Sequence, residues 1–142
     1  MKKLFFTFLF IATTISISSQ TIFGKWNSRS EEGVVDSVLE IYEKDGKAFA
    51  KVVEIMNPDR KDARCVDCEG EYKDKPIMGL DILSGLEKEE DKDEWSGGTI
   101  VDPRNGNTYK CYIKLVKPNK LKLRGYIGFS LFGKTAYWER AK

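Results

Sequence analysis

Cys65-Val66-Asp67-Cys68 is the place where residue type and spacing together point to chemistry. In an exported chain the pair reads as a structural disulfide that pins a loop. It also has the spacing of a redox pair, because a Cys-x-x-Cys thiolate can have a lowered pKa. The redox version sits at a helix N-terminus in a βαβ setting, however, and no such pattern surrounds it here. A metal site would recruit Cys65, Cys68, Cys111 and a carboxylate or water. Free thiols are the fourth reading. The chain has no histidine. That removes Ser-His-Asp and Cys-His nucleophiles, the usual neutral-pH acid–base and nearly every catalytic zinc site. Glu87 to Glu94 is rich in carboxylates but lacks Asp-x-Asp-x-Asp-Gly spacing, so it reads as a solvated hairpin tip rather than a calcium loop. No paired spacing of acids and tyrosines argues for an enzyme. The expectation is no catalytic residue, no cofactor and no metal.

Elements that would carry these residues are short and alternating. No helical period lasts three turns beyond residue 20. In Thr108 to Val116, Tyr109, Cys111, Ile113 and Leu115 share one parity, opposite Lys110 and Lys114, so one face is core and one is solvent. On that face the odd Cys111 is a small buried apolar residue. Lys120 to Ile127 repeats the pattern, and Lys117-Pro118-Asn119 joins the two as a turn in which asparagine suits the left-handed region. Asp102 to Gly106 and Lys44 to Lys47 have similar turn chemistry. Phe23–Ser28, Val34–Glu43, Ala48–Met56, Pro76–Leu83, Trp95–Val101 and Thr135–Arg140 bring the strands to about eight. Gly79, Gly97 and Gly98 fall within these strands and mark bulges or bends. The expected fold is all-β, a small up-and-down antiparallel barrel, which closure frees of exposed edges. A β-sandwich is the alternative, and it would need longer crossovers. The polar connection Asn57 to Lys75, which carries the cysteine pair, is long enough to need a function or a tether.

The interior of such a barrel would hold Trp26, Phe49, Tyr109 and Trp138, and Arg140, which shares the parity of Trp138. Eight strands enclose a space that side chains just fill, or that holds one small ligand. Both readings stay open: a barrel that binds a small apolar or amphipathic ligand or a cell-envelope component such as an envelope protein, or an interaction module with a filled core whose partner contacts the rim or the cysteine loop.

The first twenty residues read as an address. Met1-Lys2-Lys3 precedes an apolar run from Leu4 to Ile17, followed by Ser18, Ser19 and Gln20, in the layout of a secretory signal peptide. The apolar run is shorter than a membrane span needs. Residues 1–20 are thus expected to be removed, leaving one domain over residues 21–142, periplasmic or secreted, without a transmembrane segment. The whole chain has 24 Lys and Arg against 22 Asp and Glu, for a net charge of +2. Loss of Lys2 and Lys3 leaves the charges balanced. Nucleic-acid binding therefore lacks an electrostatic footprint.

Gly24-Lys25-Trp26 at the opening of the first strand, with Arg140 near the end of the last, resembles the calycin pattern of lipocalins, fatty-acid-binding proteins and avidins. The resemblance implies that Trp26 closes one barrel end and that Arg140 stacks across its ring. A short Arg29–Gly33 connection leaves no room for the helical lid of fatty-acid-binding proteins, and three tryptophans are too few for an avidin biotin site. A second resemblance spans nearly the whole chain. Gly24-Lys25-Trp26, Ile41-Tyr42, Cys65-x-x-Cys68, Lys75-Pro76-Ile77-x-Gly79, Trp95-Ser96-Gly97-Gly98, Asp102-Pro103, Thr108-Tyr109 and Arg124-Gly125-Tyr126-Ile127-Gly128, in that order, look like the DUF2147 family of small exported bacterial proteins. That resemblance implies a domain and a calycin-like fold, with no activity attached.

Overall fold

The computed structural model describes residues 21–129 and 131–142; the proposed signal segment lies outside them. Eight antiparallel strands follow one another around a closed barrel in chain order: β1 (Gly24–Arg29), β2 (Val35–Lys44), β3 (Lys47–Ile55), β4 (Asp81–Lys88), β5 (Trp95–Val101), β6 (Thr108–Lys117), β7 (Lys120–Tyr126) and β8 (Gly133–Arg140). Single turns of 3-10 helix occur at Pro58–Arg60 and Gly70–Tyr72. No helix among the described residues is long and apolar enough to cross a membrane.

The period-2 pattern sets which side chains face inward. Leu39 and Ile41 of β2, Cys111 and Ile113 of β6, Leu121 and Leu123 of β7 and Trp138 of β8 are all buried. Hairpin chemistry holds the register. Lys44 pairs with Lys47 across Asp45-Gly46, both with positive φ, which suits the right-handed strand twist. Lys117 pairs with Lys120 across Pro118-Asn119, but Asn119 is not left-handed; a register shift between Leu115 and Lys117 accompanies the turn instead. β1 closes the barrel on β8 through two opposed pairs, Trp26 with Arg140 and Asn27 with Glu139.

Five further expectations need correction. Phe49 is not interior. On β3 it is Ala48, Ala50 and Val52 that are buried, so Phe49 points outward and stacks on Tyr42 at 5.8 Å. The fourth strand starts at Asp81, not Pro76. Pro76 bridges Arg64, Ile77 N–H donates to Ala63 O and Gly79 N–H donates to Val52 O, so this stretch turns back on β3 before the strand begins. Gly79 accordingly sits in a turn, and the hairpin tip contracts to Glu89–Glu94. Finally, β7 ends at Tyr126 and Ile127 is exposed, because the next hairpin departs there. Gly97-Gly98 does mark an irregularity: register shifts between Trp95 and Gly98, and a Cβ at Gly98 would lie 2.3 Å from Ser84 O.

Candidate functional site

Both barrel ends are defined by specific side chains. At the lower end, Trp26 is fully buried and its indole Nε1–H donates to Ile22 O at 2.8 Å. The Arg140 guanidinium lies 4.3 Å from the centre of that ring. It donates to three backbone carbonyls: Nη2 to Thr21 O at 2.7 Å, Nη1 to Phe23 O at 3.1 Å and Nε to Pro118 O at 3.1 Å. One cation thereby ties together the segment before β1, the β6–β7 turn and the last strand, while its flat face rests on the indole. Gly24 has φ of +120°, and a Cβ there would approach Arg140 Nη1 to 3.3 Å. The glycine two residues before the tryptophan leaves room for the arginine.

The upper end is open. A cavity of about 1050 Å³ enters the barrel there. Trp138 and Leu39 contribute to its lining, with Val52, Ile100, Tyr109, Leu123 and Ala136. Its rim is polar and includes Arg29, Asp36, Arg60, Asp102, Arg104 and Lys134. The barrel is therefore packed below and hollow above. Of the five interior candidates, Tyr109 and Trp138 line the cavity, Trp26 and Arg140 plug the other end, and Phe49 is outside.

Several rim charges are held in pairs. Arg104 grips Asp102 with Nε on Oδ1 and Nη2 on Oδ2, each at 3.0 Å, and its backbone N–H adds a bond to Oδ1 at 3.0 Å. Burial alone would raise the Asp102 pKa, but those hydrogen bonds outweigh it and hold the carboxyl below its ordinary value. Arg29 donates to Gly33 O at 2.7 Å and to Glu139 Oε2 at 2.8 Å, which fastens the β1–β2 loop to β8 and lowers the Glu139 pKa by hydrogen bonding and charge. In the sequence Asp102 to Gly106 reads as a turn and as part of the family resemblance. Its role at the rim follows from the barrel's closure and carries no local signal.

The cysteine connection packs against that turn. Cys65 and Cys68 form a disulfide and are both buried, within a segment whose charged side chains face solvent. Cys65 N–H donates to Lys75 O at 2.8 Å and Asp74 N–H donates to Cys65 O at 3.0 Å, so the segment closes on itself. Cys65 Sγ lies 3.9 Å from Pro103 O, and a Cβ on Gly106 would fall 1.8 Å from Asp67 O. The disulfide thus shapes the segment from within, and close packing on Gly106 seats it against the turn. Cys111 is the free cysteine, buried on β6, where desolvation pushes its thiol up to about 12. It stays protonated and unreactive at neutral pH.

A family model described as an uncharacterized protein conserved in bacteria, DUF2147, matches residues 24–140. No curated protein matches the chain. Among solved structures, a protein from the human pathogen Helicobacter pylori, described as belonging to the lipocalin family, is similar with a TM-score of 0.74 and 19% identity. The match covers 86% of this chain and 84% of that one, and it establishes a shared fold.

Proposed function

The chain belongs to the DUF2147 family, and from that premise we propose that its barrel binds one small apolar or amphipathic molecule through the open upper end. The observation that carries this reading is the cavity of about 1050 Å³, apolar in its walls and charged at its rim. Ligand sites of roughly 300–1,000 Å³ commonly combine apolar walls with a few placed polar groups. An acyl or aromatic body would lie against Leu39, Val52, Ile100, Leu123 and Trp138. A polar head would meet the rim, where Arg104 and Asp102 are already rigidly paired and Arg60 and Lys134 are exposed.

The test is titration with cis-parinaric acid, a fluorescent fatty acid. One saturable site per chain is expected. Ala136 faces the cavity opposite Leu123, so Ala136→Trp fills the space and should weaken binding by about tenfold or more. Absence of saturable binding, or unchanged binding in a folded A136W, would overturn the reading in favour of an interaction module without a small ligand.

The same proposal places the protein outside the cytoplasm, after removal of residues 1–20, because of the Lys2-Lys3 start and the apolar run behind it. N-terminal sequencing from the native host should begin near Gln20 or Thr21. Recovery of a soluble protein with Met1 intact would refute export.

A further inference from the structure

The β7–β8 hairpin presents an unusual tip. Ile127, Phe129, Leu131 and Phe132 are 69%, 75%, 84% and 71% exposed. Residues 127–132 contain no charged side chain, in a chain that is 32% charged. This exposure is built into the hairpin. Ile127 N–H donates to Phe132 O at 3.2 Å and Phe132 N–H to Phe129 O at 3.0 Å. Arg124 braces the tip from the stem, donating to Leu131 O at 3.3 Å and to Thr135 Oγ1 at 2.8 Å. Gly133 lets the two stem strands close tightly, since a Cβ there would lie 2.2 Å from Gly125 O.

Behind the tip polarity rises in order. Tyr126, opposite Gly133, comes first in the stem, followed by the exposed Lys134, by Arg124 opposite Thr135, and, two pairs further on, by the half-exposed Tyr137. An apolar end followed by a tyrosine and then cations is the gradient of a bilayer surface, where acyl chains give way to the headgroup region. We propose that this hairpin tip inserts into the interfacial layer of a phospholipid membrane and seats the barrel mouth against it. Ile127 and Phe132 also line the cavity, so the inserted surface is continuous with the cavity wall.

Lipid fits better than a second copy of the chain. Four side chains at these exposures supply roughly 500 Å², short of the ~800 Å² per partner of a standard stable interface. Insertion into a fluid interface needs no matching surface. Charge contributes little, because Glu31 lies 3.7 Å from Lys134 and the adjacent loop also holds Glu32. Binding should therefore persist on zwitterionic vesicles and depend weakly on salt. The proposal stands whether or not the cavity holds a ligand.

The experiment puts a tryptophan at the tip of the full chain, so that contact is read at that position rather than through residues 1–20. With phosphatidylcholine vesicles, Phe129→Trp emission should shift to the blue and be quenched by brominated lipid. Lys92→Trp, in the β4–β5 tip at the opposite barrel end, should do neither. The pair Phe129→Ser and Leu131→Ser, both at exposed positions that the fold does not require, should lower vesicle partitioning by about tenfold or more in salt-independent fashion. Unchanged Phe129→Trp emission and quenching on adding vesicles would overturn the proposal. A blue shift without vesicles that grows with protein concentration, together with a dimer mass in sedimentation, would overturn it in favour of a second copy.

Discussion

Trp26→Ala is expected to lose about 3–5 kcal/mol of unfolding free energy, the range for deleting a buried large aromatic. Three costs coincide at this site. The indole is wholly removed from water, so its loss leaves a void at the lower end of the core. Ile22 O loses its donor. The Arg140 guanidinium loses the ring face that it covers at 4.3 Å. The position is also one of the two opposed pairs that join β1 to β8 among the described residues, so local loosening should spread to the closure seam. Urea unfolding measures the change. Trp26→Phe should lose less, because it retains a ring beneath the arginine. A loss below about 1 kcal/mol for the alanine variant would show that this end is not the plug described above.

Gly106→Ala is expected to cost about 2–4 kcal/mol despite adding a single methyl at the surface. Gly106 has φ of +74°, a region that an L side chain enters only with strain. Its missing Cβ is also the space into which Asp67 O packs, at 1.8 Å from where that atom would stand. Both atoms are backbone or bonded to it, so the contact cannot be relieved by turning a side chain. The cysteine segment must move away from the β5–β6 turn, and the disulfide should then become exposed. Faster reduction by dithiothreitol, accompanying the loss of stability, is the expected signature. A variant with parent-like stability and an equally protected disulfide would show that the segment does not rest on this turn.

Phe49 and Cys65 show where sequence reading met its limit. Alternation in β6 and β7 was legible because lysines mark the solvent face unambiguously, as Lys110, Lys114 and Lys122 do. On β3 the pattern is weak: alanines alternate with an aromatic, and size suggests that the aromatic is inside. The barrel instead takes Ala48 and Ala50 inward beside Leu86 and Leu83, and leaves Phe49 to cover Tyr42 on the outer surface. Interior volume on one strand depends on what its neighbours supply, which no single segment records. The cysteines were similarly disguised, since their buried sulfurs sit in a segment whose composition is that of an exposed loop.

Local residue choice thus determined the strand class, the number of strands and the hairpin order, because alternation and turn chemistry act over a few residues, whereas the Trp26–Arg140 pairing was implied by the calycin resemblance. Only the tertiary structure decided where the interior is packed and where it is hollow. It also brought Asp67 onto Gly106 and the β7–β8 tip to the cavity mouth. Those outcomes depend on barrel closure and on register across strands far apart in the chain, where a shift of one residue exchanges the inner and outer faces.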